Sequence, residues 1–286
     1  MKLLRFGPPG QERPAVLADG TALDVRAVTP DYDSAFFARS GMEELRARVE
    51  DGAGLFGQLD LGGSRIGPPV ARPPKIVCIG LNYADHAKES GVPLPKEPVI
   101  FNKAPSCICG PDDDTMMPKG GTKLDYEIEL GIVIGSRARY LSKSNAMDAV
   151  AGYCLANDVS ERAFQHEHDG QWTKGKSSET FGPLGPWLVT KDEIKDPQNL
   201  DLRLTVNGET RQKGSTKTMV FDCAYLVWYC SQFMVLEPGD VIVTGTPPGV
   251  AMGMKPEPKY LKVGDIVRLS IPELGEQTQK VVKFRM

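Results

Sequence analysis

The sequence predicts a β-dominated α+β fold with a small N-terminal domain. Short runs rich in β-branched residues recur along the 286-residue chain, and such runs are typical of strands. Glycine (30 residues) and proline (23 residues) separate these runs as turn formers. Few segments show helical periodicity. With 41% hydrophobic residues, the chain can bury a sizeable core.

The N-terminal part is expected to be a domain of its own. Residues 1–71 contain short strand-like runs and two segments with helical periodicity, at 33–38 and 42–49. The segment 67–74 is rich in proline and glycine, which break regular structure. We therefore predict a small α+β domain over 1–71 and a second, larger domain over 72–286.

The second part of the chain supplies most of the predicted strands. They lie at residues 75–80, 99–101, 126–134, 152–157, 200–206, 240–244 and 265–271. Asn207 and Gly208 predict a type I′ hairpin turn. Ser144 is expected to cap a helix over 145–150, and a second, apolar helix is predicted over 222–235.

Composition argues against several classes of partner. The formal net charge of −3 gives no basic field for nucleic acid or for an anionic membrane. No apolar run approaches the roughly 18 residues of a membrane span, and no signal-peptide core precedes Pro8. The chain has no glycine-rich phosphate loop, because residues 245–249 are too rich in proline. We expect a cytoplasmic protein with a small-molecule partner.

The six cysteines are expected to be reduced core thiols. They are spread through apolar segments of a long chain, which does not suit a disulfide framework. Cys107 and Cys109 form a close pair that could bind zinc. Because no second Cys or His pair lies nearby, buried thiols are the favoured interpretation.

Two glutamates indicate a metal site. Glu127 and Glu129 lie two residues apart in the apolar run 124–135, so both side chains leave the same face of a strand. Buried carboxylates need a partner, and that run contains no Lys or Arg. A divalent cation explains the pair, and oxygen ligands favour Mg²⁺, Mn²⁺ or Ca²⁺ over Zn²⁺.

A third acid follows the next predicted strand. Asp158 comes directly after the strand over 152–157, so it joins the glutamates if the two strands are neighbours. Alternatively it caps the turn that follows. Arg162 and Gln165 lie four and seven residues further on, and a helix would place them on the same side as Asp158. They are candidates for binding a ligand carboxylate or carbonyl, whereas Arg162 could also be a surface ion-pair residue.

Other candidate residues could handle protons. Glu89 lies three residues after His86, so on a helix it could orient the imidazole for activating water; a solvated pair is the alternative. Lys176 lies in a glycine-flanked stretch and could stabilise an anion, or be an exposed cation. His166 and His168 are predicted to lie in a mobile surface segment outside the metal site.

The chain resembles the fumarylacetoacetate hydrolase family over residues 72–286. Five motifs occur in the order and spacing of that family, which is more specific than any one of them. They are Asn82-Tyr-Ala-Asp-His86-Ala-Lys-Glu89, Asp125-Tyr-Glu127-Ile-Glu129, Asn157-Asp158-Val-Ser-Glu-Arg162, Gly175-Lys176-Ser and Thr244-Gly245-Thr246-Pro. Glu179 stands where many family members carry Asp.

The resemblance implies a fold and a set of roles. The family's catalytic domain is a mixed β-sandwich roll, and its members are commonly homodimers that use Mg²⁺ or Mn²⁺. The implied metal ligands are Glu127, Glu129 and Asp158. The implied catalytic residues are His86, Glu89 and Lys176, and the implied substrate contacts are Arg162, Gln165, Gly245 and Thr246.

The resemblance also implies a reaction. A 2,4-dioxo acid, as the small-molecule 2-oxo acid substrate, would be hydrolysed at its C3–C4 bond to pyruvate and a carboxylic acid. Residues 171–176 and 181–187 look like those of relatives that act on 2,4-diketo-3-deoxy sugar acids of the L-rhamnonate or L-fuconate type, often labelled ureidoglycolate lyases. Acylpyruvate hydrolysis, oxaloacetate decarboxylation, tautomerase or isomerase activity, ureidoglycolate cleavage and a non-catalytic metal-binding role are the alternatives.

Overall fold

Strands dominate the computed structural model of the protein, which describes residues 1–52, 56–91 and 93–285. The fold is α+β with more strand than helix, so the predicted fold class is confirmed. The strands, in chain order, are β1 (Lys2–Phe6), β2 (Arg13–Ala18), β3 (Thr21–Asp24), β4 (Gln58–Leu59), β5 (Ile66–Gly67), β6 (Ile76–Gly80), β7 (Val99–Lys103), β8 (Ile108–Cys109), β9 (Thr115–Met116), β10 (Leu124–Asp125), β11 (Ile128–Ile134), β12 (Val150–Asn157), β13 (Ser160–Glu161), β14 (Gly182–Pro183), β15 (Leu188–Thr190), β16 (Asp201–Val206), β17 (Glu209–Ser215), β18 (Val241–Val243), β19 (Ile266–Ile271) and β20 (Gly275–Val282).

The helices of the described residues are short. They are α1 (Ser34–Ala38), α2 (Gly41–Asp51), α3 (Ala84–Ser90), α4 (Arg162–His166), α5 (Trp172–Lys176) and α6 (Cys223–Phe233). Single 3₁₀ turns lie at Pro105–Cys107, Ala146–Ala149, Lys191–Glu193, Thr216–Thr218 and Ala251–Gly253. Among the residues described, no helix is long and apolar enough to cross a bilayer.

Side-chain caps explain where two predicted helices begin. Asp33 accepts a hydrogen bond from the backbone N–H of Phe36 at the start of α1, and Asp222 caps α6 in the same way. The prediction for Ser144 is wrong, because Asn145 precedes the 3₁₀ turn and no side-chain cap forms. The Ser144 hydroxyl lies 2.9 Å from that of Ser142 instead.

Most of the strands belong to one sheet of 11 strands. Its order is β4-β3-β2-β1-β15-β12-β11-β18-β6-β7, with β5 paired to β1. A second sheet of five strands has the order β17-β16-β19-β20-β9. Antiparallel pairing of β1 with β15 makes the N-terminal strands a continuation of the large sheet. The division at residue 71 stays a prediction.

The predicted strand over 126–134 begins two residues later than expected. β10 ends at Asp125 and β11 begins at Ile128. Between them, the N–H of Glu127 donates to the side-chain oxygen of Asn157 at 3.1 Å, whereas the Glu127 carbonyl accepts from the backbone N–H of Asp158 at 2.9 Å. This side-chain bond interrupts the ladder beside two of the predicted site residues.

Buried glutamines connect the two sheets. Gln277 and Gln279 of β20 are fully buried. Gln277 donates to the carbonyls of Leu155 and Gly185, both at 2.9 Å, and Gln279 accepts from the side chain of Asn157 at 3.0 Å. β20 was not predicted, because its inward positions include polar residues and the apolar alternation of a strand is therefore weak.

Two smaller predictions are confirmed. Asn207 and Gly208 have φ values of 52° and 83°, as a type I′ turn requires. All six cysteines are free and buried, including Cys107 and Cys109. They are core thiols, as expected.

Candidate active site

Three carboxylates converge at the end of two paired strands. β11 and β12 are antiparallel, with Ile128 opposite Asn157, so Glu127 before β11 and Asp158 after β12 share one edge. Glu129, inside β11, completes the group. One carboxylate oxygen from each of the three acids lies within 4.8 Å of the others, and all three side chains are buried. The predicted convergence is confirmed.

Cations from distant parts of the chain also reach this site. Lys176 Nζ donates to Glu127 at 2.8 Å and to Asp158 at 2.7 Å. Arg162 donates to Glu127 at 2.6 Å, and Lys103 binds the other oxygen of Asp158. The run 124–135 contains no Lys or Arg, but basic residues from elsewhere in the chain pair with these acids, which the sequence argument for a metal did not consider.

Lys103 is a site residue that the sequence did not indicate. It ends β7 and is 3% exposed. Its ammonium donates to Asp158 and, at 3.0 Å, to the carbonyl of Val159. The sequence did contain a signal for this role, because Lys103 ends a short, mostly apolar run. A lysine in such a run is expected to be buried, and a buried cation needs an anionic partner.

The buried charges do not cancel. The cluster contains the carboxylates of Asp125, Glu127, Glu129 and Asp158 and the cations of Lys103, Arg162 and Lys176. Four carboxylates against three cations give one excess negative charge when all seven groups are ionised.

The two glutamates differ strongly in acidity. Burial favours the neutral form of Glu127, but Lys176 and Arg162 outweigh it and lower the pKa of Glu127 to about 2. Burial, together with the charges of Asp158 and Glu127, raises the pKa of Glu129 well above its ordinary value. Of the two glutamates, Glu129 is therefore the harder to ionise, and a bound cation would favour its ionised form.

The donor set fits a hard divalent cation. The three converging ligand atoms are all carboxylate oxygens, which suit Mg²⁺ or Mn²⁺ better than Zn²⁺. The excess negative charge points the same way. Glu127, Glu129 and Asp158 would hold such an ion.

The predicted pair His86 and Glu89 lies on α3. His86 Nδ1 is 3.2 Å from a carboxylate oxygen of Glu89. The same oxygen accepts from the backbone N–H of Gly249 at 3.1 Å. The hydrogen bond with His86 lowers the pKa of Glu89 against the opposing effect of burial. An ionised Glu89 keeps Nδ1 protonated, so Nε2 is the nitrogen that can accept a proton.

Two predicted substrate residues form a hydrogen-bonded pair. Arg162 Nη1 donates to the side-chain oxygen of Gln165 at 2.9 Å, while Arg162 Nε donates to Asp125 at 2.8 Å. Asp125 also accepts from the backbone N–H groups of Ala251 and Met252. The guanidinium is thus held in place by the protein, and it borders the cavity described below.

The other two predicted substrate residues follow β18. The N–H of Gly245 donates to Glu129 at 2.8 Å, and the hydroxyl of Thr246 donates to the carbonyl of Ile128 at 2.8 Å. Gly245 has a φ of 94°, and a Cβ there would lie 3.0 Å from that of Asn82. Glycine is therefore required at this position.

A cavity of about 280 Å³ brings these residues together. Eight of the ten predicted site residues line it: His86, Glu127, Glu129, Arg162, Gln165, Lys176, Gly245 and Thr246. The other two contact lining residues, Glu89 through His86 and Asp158 through Lys176. A larger cavity of about 960 Å³, beside Arg5 and Arg65, contains none of the ten.

His166 is exposed, as predicted, but it ends α4 and also borders the cavity. Its ring centroid lies 6.0 Å from that of the Trp172 indole. His168 is exposed and stacks on Phe164. As predicted, neither histidine belongs to the acid cluster.

Comparison with known proteins shows the family of the chain. Residues 75–282 match the family model of the fumarylacetoacetate (FAA) hydrolase C-terminal family. A Burkholderia multivorans protein named only as a hydrolase is 56% identical over 280 residues, 98% of each chain.

Solved structures agree as well. The fumarylacetoacetate hydrolase of Exiguobacterium antarcticum is 38% identical, with a TM-score of 0.86 over 99% of this chain and 100% of that chain. Maleylpyruvate hydrolase from Sphingobium sp. SYK-6, in complex with manganese(II) and pyruvate, is 29% identical, with a TM-score of 0.82 over 100% of each chain. The chain belongs to the fumarylacetoacetate hydrolase family.

Proposed function

We propose that this protein is a divalent-metal-dependent hydrolase that cleaves the C3–C4 bond of a 2,4-dioxo acid to give pyruvate and a carboxylic acid. One observation carries the proposal. The oxygens of Glu127, Glu129 and Asp158 lie within 4.8 Å of one another, beside a cavity that His86 and Lys176 also line. A metal site, a base and a cation thus surround one small space.

The metal is proposed to be Mg²⁺ or Mn²⁺. When bound, such an ion supplies a Lewis acid for the carboxylate and 2-oxo oxygens of the substrate. The manganese and pyruvate complex of the maleylpyruvate hydrolase supports this choice. In this chain Arg162 and Gln165, at the same cavity, orient the substrate carboxylate.

His86 activates the water. Its Nδ1 is held by Glu89, and its ring lines the cavity. Nε2 takes one proton from water while the oxygen adds to C4 of the substrate. Glu89 stabilises the imidazolium that results, since ion pairing favours the charged ring.

Lys176 stabilises the oxyanion on C4. Among the described residues its ammonium donates two hydrogen bonds, to Glu127 and Asp158, and lysine has three N–H groups. The third is left for the substrate oxygen. When C3–C4 breaks, its electron pair passes to the pyruvate enolate. Lys176 donates a proton to C3 of the enolate, and the proton that His86 took from water restores the ammonium, so that one water is consumed overall.

The test is a coupled assay for pyruvate release. Purified protein with Mn²⁺ or Mg²⁺ should release pyruvate from acetylpyruvate, and EDTA should stop the reaction. His86→Ala should lower kcat by about 10²–10⁴-fold, the usual contribution of a general base. His168→Ala, on an exposed histidine, is the matched control. A wild-type protein that releases no pyruvate from any acylpyruvate would contradict the proposal.

Other reactions at the same site would give different results. Oxaloacetate decarboxylation and isomerisation need no attacking water, so His86→Ala would leave them largely intact. Ureidoglycolate cleavage would release glyoxylate rather than pyruvate. A metal-binding protein without activity would turn over none of these compounds. The positions of His86 and Glu89 favour hydrolysis.

Further predictions concern the acyl group and the assembly. A 2,4-diketo-3-deoxy sugar acid stays the predicted substrate from the sequence resemblance, with other acylpyruvates as the alternative. The homodimer and the cytoplasmic location also stay predictions. Light scattering during size exclusion would test the dimer, which should have twice the chain mass of 31.2 kDa.

A further inference from the structure

Trp172 and Lys176 lie on the same face of one short helix. Trp172 begins α5 and Lys176 ends it, and residues four apart on a helix are neighbours. Both side chains line the cavity of about 280 Å³. The indole therefore lies one helical turn away from the ammonium that contacts the acid cluster.

Phe101 connects these two side chains. Its ring meets the indole of Trp172 edge to face, with centroids 5.2 Å apart. Lys176 Nζ lies over the same Phe101 ring, 5.2 Å from its centroid. An aromatic wall, formed by Phe101 and Trp172, thus begins directly beside the ammonium.

Gly80 provides the space for the indole. A Cβ at Gly80 would lie 2.7 Å from Cζ3 and 3.1 Å from Cη2 of Trp172. The backbone of Gly80 does not have a positive φ, so glycine is needed here for space rather than for conformation. Any side chain at residue 80 would push the indole from its position.

Other apolar residues line the same cavity. Ile79, Leu81 and Met252 also line the cavity, and His166 meets the indole edge at 6.0 Å. A hydroxyl group buried against such residues would lack partners, which lowers affinity. A flat apolar group would instead gain contacts with both rings.

We infer that Trp172 is the specificity-determining residue of this site and selects 2,4-dioxo acids whose acyl group is flat and apolar. The inference rests on the proposed function: Lys176 binds the oxygen on C4, so the acyl substituent of C4 lies beside Lys176, against Phe101 and Trp172. The inference and the sugar-acid prediction therefore rank the substrates in opposite order. The hydroxyl groups of a sugar acid would lie against the same apolar surface without hydrogen-bond partners, whereas a flat apolar acyl group would pack on it.

The experiment compares kcat/KM for benzoylpyruvate and acetylpyruvate. The wild-type protein should prefer benzoylpyruvate. Trp172→Ala should reduce that preference about tenfold by removing the face on which the phenyl group packs, while acetylpyruvate is still hydrolysed. Gly80→Ala should also reduce the preference, because it displaces the indole. Trp228→Ala, on α6 outside the cavity, is the matched control and should leave the preference unchanged.

One further variant and one control measurement guard against a result caused by misfolding. Trp172→Phe keeps a flat apolar face and should retain most of the preference for benzoylpyruvate. Hydrolysis of acetylpyruvate by Trp172→Ala reports whether the metal site and the base are intact. A benzoyl-to-acetyl ratio within about twofold of wild type in both Trp172→Ala and Gly80→Ala would overturn the inference, as would a wild-type preference for the sugar acid.

Binding separates this inference from the proposed function. Titration calorimetry with benzoylpyruvate and Mn²⁺ is done in the His86→Ala background, so that the ligand is not hydrolysed while its binding is measured. If the wild-type protein hydrolyses no acylpyruvate, the proposed function fails. If His86→Ala with Trp172→Ala binds benzoylpyruvate as tightly as His86→Ala alone does, the inference about Trp172 fails, whatever the assay of hydrolysis shows.

Discussion

The ammonium of Lys103 binds a carboxylate oxygen of Asp158 across 55 positions of sequence, inside the protein. Lys103 ends β7 and Asp158 follows β12, and both side chains are almost fully buried. Lys176 takes the other oxygen of the same carboxylate. Asp158 is therefore held from both sides, and its orientation toward Glu127 and Glu129 depends on two lysines.

Replacing Lys103 with methionine should destabilise the fold. The change keeps an unbranched side chain but leaves a buried carboxylate with one cation fewer. Removing one partner of a buried pair costs about 3–5 kcal/mol, so we expect the free energy of unfolding to fall by about that amount in urea. Lys119→Met, at an exposed lysine, should change it by less than about 0.5 kcal/mol. Equal stability of the two variants would show that Lys103 is not needed to compensate the buried negative charge of Asp158.

A divalent metal should stabilise the native protein through the acid cluster. Mn²⁺ at about 100 times its Kd should add roughly 2.7 kcal/mol to the free energy of unfolding, and EDTA should reverse the rise in Tm. Glu129→Gln should weaken Mn²⁺ binding in calorimetry by at least about tenfold. Mutation of a residue that only hydrogen-bonds to a metal ligand already lowers metal affinity by about that factor, and loss of a ligand should cost no less. Asp114→Asn, at an exposed acid, serves as control. Identical isotherms for the two variants would exclude Glu129 as a ligand.

Two glycines with positive φ should respond differently to alanine. Gly208 has open space around it, so Gly208→Ala should cost only the backbone strain of about 1–2 kcal/mol. At Gly249, with a φ of 106°, a new Cβ would lie 1.9 Å from the carbonyl oxygen of Arg211. Gly249→Ala should therefore lose clearly more stability in urea. It should also lower activity, because the N–H of Gly249 holds Glu89. Similar losses of stability in both variants would contradict this account.

The cysteines should be inert in the native protein. Burial raises the pKa of Cys154 and of Cys230 to about 12. With a pKa of about 12, only about one in 10⁴ of these thiols is ionised at pH 8, and about one in 10³ at pH 9. The thiolate is the form that reacts, so both thiols should react very slowly. Ellman's reagent should therefore label no cysteine of the native protein at pH 8 and all six after guanidinium is added. Rapid labelling before unfolding would show that one of the thiols is accessible.

The sequence predicted those strands, turns and site residues that depend only on residues close together along the chain. Strands such as β6 and β16 have apolar or alternating side chains, and turns such as Asn207-Gly208 have residues that tolerate positive φ. Glu127 and Glu129 were found because the two-residue period of a strand places them on one face. β20 was missed, because partners across the core satisfy its buried glutamines.

The sequence by itself determined the strand-dominated fold class and placed Glu127 with Glu129 and His86 with Glu89, because each pair depends on spacing within one segment. The meeting of Asp158 with the glutamates depended on the pairing of two strands. Only the tertiary structure decided that Lys103, Arg162 and Lys176 compensate those acids, and that Trp172 lies against Gly80 at the wall of the cavity. Charge compensation and packing depend on distances in space, and strand pairing brings together residues that no local pattern relates.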